Sequence, residues 1–262
     1  MWRLAILAAC AALVAAGCGS RSNSSSNNST DTTEAAPTST DTKGARVVHY
    51  TLDGRDELAI VPKNHGSLLL VLLHGRGAGP QQFISEPLFT GLAHAGSPVV
   101  VLLNGGDHSY WHDRSGGKWA SMVLNRAIPD AQRRFGTKGK AAIGGISMGG
   151  YGALHIASLR PQAFCAVGGH SAALWRNFKA TAPGAFDNVD DYRNNNVFTA
   201  ASKLKKTNVW LDVGDQDPFK DANAELARKV SVPLHVFSGG HNSAYWNGHM
   251  RLYLGFYERA CA

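Results

Sequence analysis

Charge is scarce in this chain: Asp, Glu, Lys and Arg together make up 17% of its 262 residues, while 44% are apolar. That balance excludes a coiled coil and a wholly disordered chain, and no collagen-like repeat or other internal repeat occurs. Long hydrophobic runs are also lacking. The longest, residues 4–16, is too short for a membrane-spanning helix, which needs about 20 apolar residues. Acidic residues are the rarer sign, 19 against 26 basic, for a formal net charge of +7. A nucleic-acid partner requires that excess to cluster, and here it is mostly dispersed. Arg133-Arg134 and Lys203-Leu204-Lys205-Lys206 read as solvated helix faces. Glycine is what the chain has in plenty: 29 residues, about 11% where roughly 7% is usual. Glycine serves where a backbone turns sharply or approaches another closely, so the excess calls for a structural cause.

The N-terminus reads as an address. Met1-Trp2-Arg3 is a short cationic start, and the apolar run after it has signal-peptide length. Ala15-Ala16-Gly17-Cys18 resembles the bacterial lipobox, whose cysteine is lipidated and becomes the first mature residue. An aliphatic residue usually stands where Ala15 is. Leu7-Ala8-Ala9-Cys10 fits that pattern better but leaves almost no apolar core before it, so Cys18 is preferred. An ordinary cleaved signal with an incidental cysteine is the alternative. Acyl chains on Cys18 would anchor the protein to a membrane through lipid alone. Almost half of residues 19–45 are Ser or Thr, with few apolar groups, a composition that cannot bury enough surface to fold. The expected organisation is therefore a lipoprotein signal peptide (1–17), a disordered tether (18–45) and one folded domain (46–262). A flexible tether of that length reaches about 26–31 Å. Cys165 and Cys261 remain in the domain, and an even pair in an exported protein suggests a disulfide, two isolated buried thiols being the alternative.

Eight segments read as strands: 46–52, 57–61, 67–73, 98–103, 140–146, 164–169, 208–213 and 232–237. The first two are joined by Asp53-Gly54, a hairpin signal. Ser67 to Leu73 is almost purely aliphatic, as in a strand covered on both faces. Helices are expected over 80–95, 119–135 (with a kink at Pro129), 148–159, 219–230 and 243–260. The alternation implies an α/β domain with a mostly parallel eight-stranded sheet covered by helices on both faces. Residues 172–206, rich in Asn and Asp, interrupt the rhythm and suggest an insertion capping a pocket.

Gly145-Ile146-Ser147-Met148-Gly149 lies where an aliphatic strand meets a helix. A serine on that tight, strained turn stands exposed as a nucleophile, and side chains two residues either side would collide. A hydroxyl needs a base, and the base an orienting carboxylate, in the order Ser, acid, His for this arrangement. His241, in Ser238-Gly239-Gly240-His241-Asn242 just past the eighth strand, has the best position among eleven histidines. The acid should follow the seventh strand, where Asp217 is favoured over Asp215, an alternative that could instead be a turn acceptor. Asp212 lies within the strand. Oxyanion donors are expected from the backbone N–H of Met148 and of Arg76, in the glycine-rich loop 74–79. That loop lacks the Gly-Lys-Ser/Thr ending of a phosphate cradle.

These residues resemble the α/β-hydrolase superfamily, and within it the esterase group that includes esterase D, feruloyl and acetylxylan esterases and mycolyltransferases. The resemblance is carried by His74-Gly75, by Ser147-Met148-Gly149-Gly150-Tyr151-Gly152-Ala153-Leu154, by Asp217-Pro218 and by Gly240-His241. It implies a serine carboxylesterase acting through an acyl-enzyme on Ser147, on an ester substrate, with no cofactor. It also implies that the loop 104–119, with Tyr110, Trp111 and Trp119, borders the substrate pocket; an exposed loop packed by its own aromatics is the alternative. His108 and His112 have no accompanying Glu, and no metal is expected. Two other readings stand beside the esterase: an acyltransferase using the same acyl-enzyme with a sugar or lipid acceptor, and a non-catalytic ligand-binding lipoprotein.

Overall fold

Strands that are aliphatic throughout require cover on both faces, and the computed structural model of the chain shows how that cover is built. It describes residues 41–262; the expected signal peptide, Cys10, Cys18 and tether residues 18–40 lie outside the described residues. β1 (Arg46–Leu52) and β2 (Arg55–Val61) pair antiparallel, with Leu52 opposite Arg55. Asp53 and Gly54 between them both take positive φ, 50° and 77°. A two-residue turn of that hand matches the twist of the strands it joins. β3 (Leu69–Leu73) and β4 (Val99–Leu103) are buried throughout, and α1 (Glu86–Gly91) lies between them in the chain. β5 (Asp113–Arg114) and β6 (Gly117–Lys118) form a separate small hairpin before α2 (Trp119–Met122) and α3 (Ile128–Phe135). Then come β7 (Ala141–Ile146), α4 (Met148–Leu159) and β8 (Phe164–His170). The insertion holds α5 (Val189–Asn194) and α6 (Ala201–Leu204). β9 (Asn208–Gly214), α7 (Lys220–Val230), β10 (Leu234–Phe237) and α8 (Ser243–Ala260) complete the domain.

Eight of these strands form one sheet in the order β1-β2-β4-β3-β7-β8-β9-β10. β2 is antiparallel to both its neighbours, and every pair from β4 to β10 is parallel. Alternate residues of β3 feed opposite cores: Leu69, Val71 and Leu73 face α4 and the insertion, while Leu70 and Leu72 face α1 and α8. The strand order reverses at β3, which sits between β4 and β7, and an open α/β sheet has its crevice outside the carboxyl ends of the strands at such a point.

Two expected helices differ in detail. Residues 80–95 hold a single 3-10 turn, Pro80–Phe83, followed by the short α1. Across 119–135 the helical path continues, but Val123–Ala127 adopts π-type bonding, with the Ile128 N–H donating to Val123 O. Pro129 has no N–H and its ring crowds the carbonyl four residues earlier. The widened turn just before it relieves that crowding in place of a sharp kink.

A disulfide joins Cys165, at the start of β8, to Cys261, just beyond α8, across 96 residues of chain and a Cα–Cα distance of 5.2 Å. It ties the end of the last helix to the middle of the sheet. Replacing both cysteines by serine is expected to lower unfolding stability by about 2–4 kcal/mol in urea denaturation.

Candidate active site

Ser147 occupies the N-cap of α4 with φ 57° and ψ −113°, a backbone conformation costly for any residue with a side chain. Its surroundings fix that conformation. Its N–H donates to His170 O at 3.0 Å, and its carbonyl accepts from the N–H groups of Tyr151 and Ala173, each at 3.0 Å. The first turn of α4 presses against the end of β3: a Cβ on Gly149 would stand 1.8 Å from Leu73 O and 2.8 Å from His74 O. No larger residue fits there. The result is a serine Oγ raised above the carboxyl end of the sheet.

His241 reaches that oxygen from the loop after β10. Its Nε2 lies 2.8 Å from Ser147 Oγ and its Nδ1 2.8 Å from Asp217 Oδ2. The other oxygen of Asp217 accepts the Phe219 N–H at 2.8 Å. A carboxylate only accepts, so Nδ1–H donates to Asp217 and Nε2 is left to accept the serine proton. The Asp217 side chain is fully enclosed, while that of His241 is 23% exposed. Burial alone would raise the Asp217 carboxyl, but the hydrogen bonds from His241 and the Phe219 N–H outweigh it and hold the group below its ordinary range. Asp215 is exposed and does something else: its Oδ1 accepts the Gly239 N–H at 2.9 Å and its own N–H donates to Phe237 O. It braces the loop that carries His241.

The loop after β3 lies against the serine turn, with the Cβ direction of Gly75 only 3.6 Å from Ile146 O. Gly75 N–H donates to Gln82 Oε1 and Gly77 N–H to Asp107 O. Between them, the Arg76 N–H has no acceptor among the described residues. The Met148 N–H opens α4 and so lacks an intrahelical acceptor. Buried His74 holds the loop from beneath: its Nε2 accepts the Gly105 N–H at 3.0 Å, and its carbonyl accepts Trp111 Nε1–H at 3.2 Å. Burial keeps the His74 pKa low, favouring the neutral ring this bonding needs.

The three expected pocket aromatics separate. Trp111 is fully buried, wedged where a Cβ on Gly105 or Gly152 would strike it at 2.5 and 2.4 Å. It fixes the loop to α4, and the expectation that it borders a pocket is corrected: it has no exposed surface to offer a substrate. Tyr110, 3% exposed, packs against Trp175 at a ring separation of 5.4 Å. Trp119 lies under the Arg55 guanidinium and lines a surface cleft of about 330 Å³ with Asp107, His108 and Arg114. Two aromatics that the sequence did not single out lie closer to the histidine. Trp175 meets Phe219 at 5.6 Å, and Phe219 meets His241 at 5.2 Å, giving an aromatic wall from Tyr110 to the imidazole. Phe219 directly follows the Asp217-Pro218 motif, and Trp175 is the tryptophan of the insertion; both were readable as candidates.

The insertion is pinned over this wall. Asp187 binds Arg114 and Ser115, Tyr151 Oη donates to Asn195 O at 2.7 Å, and buried His112 pairs with Asp191 at 3.0 Å. His108 is exposed and His112 is engaged with Asp191, so the two do not act as a pair.

Beneath the serine turn lies a second acid–histidine pair. Asp212 Oδ1 accepts from His170 Nδ1 at 2.6 Å and Trp210 Nε1 at 3.0 Å; Oδ2 accepts from the hydroxyls of Tyr245 and Tyr253 at 2.9 and 2.8 Å. Tyr257 Oη closes the set 2.8 Å from His170 Nε2, in space kept open by Gly144 and Gly168. Four donors satisfy the carboxylate and bind α8 to β8 and β9. A third buried acid, Glu57 on β2, accepts the Asn104 N–H with one oxygen, while the other has no partner among the described residues. Burial pushes its carboxyl up to about 7.

Comparison with known proteins agrees with this geometry. The family model described as putative esterase matches residues 53–256. An esterase of Mycobacterium tuberculosis is 23% identical, over 66% of this chain and 48% of the relative. The iron(III) salmochelin esterase of Escherichia coli is 26% identical, over 58% of this chain and 40% of the relative. The chain thus spans about half the length of the curated relatives it matches. A solved structure of a ferulic acid esterase superposes with a TM-score of 0.69 at 23% identity, covering 83% of this chain and 98% of the other. The structural neighbours are α/β hydrolases, and this sheet has their fold.

Asp212 on β9 and Asp215 in the loop after it should respond differently to removal. Asp212→Ala leaves four donors unpaired, three of them on buried residues, and is expected to destabilise the protein by about 3–5 kcal/mol, whereas Asp215→Ala loses one exposed hydrogen bond worth about 1 kcal/mol; urea denaturation reads both. Glu57 titrates with the opposite sign from Asp217. Its folded pKa lies above the ordinary 4.5, so the unfolded chain ionises first and stability falls as pH rises from about 4.5 to about 7. Glu57→Gln is therefore expected to match the parent near pH 4 and to exceed it at pH 8 by about 3 kcal/mol, at 1.36 kcal/mol per pKa unit.

Proposed function

Since the chain belongs to the putative-esterase family, whose model covers residues 53–256, we propose that it is a serine carboxylesterase working outside the cytoplasmic membrane, anchored there through Cys18. The observation that carries the catalytic reading is the pair of 2.8 Å hydrogen bonds made by the two nitrogens of His241. Ser147 Oγ attacks the ester carbonyl carbon as its proton passes to His241 Nε2. The carbonyl π electrons move to oxygen, and the oxyanion is received by the N–H groups of Arg76 and Met148. Collapse of the tetrahedral intermediate breaks the bond to the alkoxy oxygen, which leaves as alcohol with the proton from His241. The acyl group stays on Ser147. A water molecule then attacks in the same way, giving its proton to His241, and the acid departs as Oγ recovers that proton. Asp217 keeps the imidazole in the tautomer that accepts at Nε2 and stabilises the imidazolium formed twice per cycle.

Ser147→Ala is expected to lower kcat on p-nitrophenyl acetate by at least about 10³-fold, and Asp217→Asn by about 10³–10⁴-fold, through the wrong tautomer. Asp215→Asn should leave the rate within a small factor. A fluorophosphonate probe should label the parent chain and not Ser147→Ala. Full activity in Ser147→Ala would overturn the assignment.

A further inference from the structure

Apart from Arg76 and Arg114, the basic residues of the sequence were given no place in the site. The acidic side chains of the site region, Asp107, Asp187, Asp191, Asp215 and Asp217, follow the carboxyl ends of strands or lie in the insertion. The opposite rim of the sheet, where the parallel strands begin, is continuous. Gly96 N–H donates to Asn64 O at 2.8 Å, Gly66 N–H to Ser97 O at 2.8 Å and Lys138 N–H to Ser67 O at 2.9 Å. Asn208 Nδ2 then bridges Cys165 O and Ala260 O at 3.0 and 3.2 Å. Along that rim Lys63, Lys138, Lys140, Lys205 and Lys206 are all exposed, and none has a carboxylate within 4.0 Å among the described residues. Lys140, Lys205 and Lys206 converge on one open depression of about 380 Å³ beside the disulfide. Arg228, Lys229 and Arg259 extend the charge at the last turns of α7 and α8, which run back to this end. Of the acids near this end, Asp41 pairs with Lys43 and Glu258 with His94, while Glu86 stands near Lys43.

We propose that this rim is a docking surface for an anionic phospholipid bilayer. Three observations select a membrane over other polyanions. The chain leading from Cys18 joins the domain at this end, where Lys43, Gly44 and Ala45 share a cleft with Lys63 and Asn64. The charges follow the edge of six neighbouring strands, a front of roughly 24 Å at 4.8 Å per strand, suited to a broad planar surface. The depression offers no exposed aromatic on which a nucleic-acid base would stack, Phe164 being 2% exposed. Docked rim-down, the domain turns Ser147 away from the bilayer by the height of the sheet, about 17–23 Å for strands of five to seven residues. The substrate is then an ester approaching from the aqueous side and not a lipid of the bilayer beneath. This rests on the proposed anchoring and esterase activity, and the experiment lets each fail separately.

The test uses the chain from residue 18 onward carrying Cys18→Ser, so that no acyl chain contributes. It is sedimented with vesicles of phosphatidylglycerol and phosphatidylcholine, and with phosphatidylcholine alone, at low and high salt. Binding to the anionic vesicles only, weakened by salt, is expected. The combined Lys140→Glu, Lys205→Glu and Lys206→Glu variant should bind at least roughly a hundredfold more weakly, at about fivefold per charge removed. Reversal of Lys179 and Arg193 on the insertion should change nothing. Thermal melting and p-nitrophenyl acetate turnover, expected unaltered in both variants, report folding. An inactive but vesicle-binding parent would refute the esterase reading alone, and an unacylated Cys18 in cells the anchor alone. Equal binding to neutral vesicles, indifference to the triple reversal, or binding to heparin without binding to vesicles would overturn the docking surface.

Discussion

The constraint on which the site depends is the approach of the first turn of α4 to the last carbonyls of β3, with no room for a Cβ on Gly149. Helix and strand can come that close only if the intervening residue turns in an unfavourable conformation, and Ser147 is that residue. The same contact brings the loop after β3 beside the serine, because β3 and β7 are neighbours in the sheet. The positions of Ser147 and of the loop that carries Arg76 are therefore set by one packing event. The hydrogen bonds at Ser147 N and O to His170 and Ala173 oppose relaxation of the strained turn.

Function also depends on giving similar acids different surroundings. Asp212 and Asp217 are five residues apart and both buried. Asp212 meets four donors from β8, β9 and α8, and these bonds fasten the helix that follows His241. Asp217 meets one backbone N–H and one imidazole, and that imidazole is partly open to solvent. One carboxylate thereby fastens elements of the fold together, and the other orients the imidazole that stands beside Ser147. Asp215, two residues before Asp217, is exposed, and its hydrogen bond to the Gly239 N–H shapes the loop on which His241 stands.

All eight strands of the sheet were legible because their signal is local: short aliphatic runs between turn residues, with hairpin chemistry at Asp53-Gly54. The serine turn was legible because Gly145 and Gly149 flank Ser147 in a fixed strand-to-helix pattern, although the contact that Gly149 answers, with Leu73 O and His74 O, is remote in the chain. Aromatics were harder. Trp111 has the composition of a pocket residue and is a buried wedge, because its partners Gly105 and Gly152 are set by tertiary packing alone. Trp175 carries no such signal because the insertion has no periodicity that shows where it folds back, and Phe219 is marked only by its neighbours Asp217-Pro218, which do not show that its ring meets the imidazole. The π-type turn before Pro129 required knowing that the helix would be held on both sides of the proline.

The insertion shows how such a wall is kept in place without strong local propensity. Its two helices are six and four residues long, shorter than an isolated helix needs for stability. Its order comes instead from contacts outside itself: Asp187 to Arg114 and Ser115, Asp191 to His112, Asn195 to Tyr151, and Ala172 to Asn223. Two of the four reach the loop after β4, one reaches the nucleophile helix and one reaches α7. The aromatic wall thus hangs from the same elements that hold the serine and the acid. A side chain altered in that wall therefore changes the space beside His241, while the two residues hydrogen-bonded to that imidazole, Ser147 and Asp217, are held from its other side by the turn after β7 and the loop after β9.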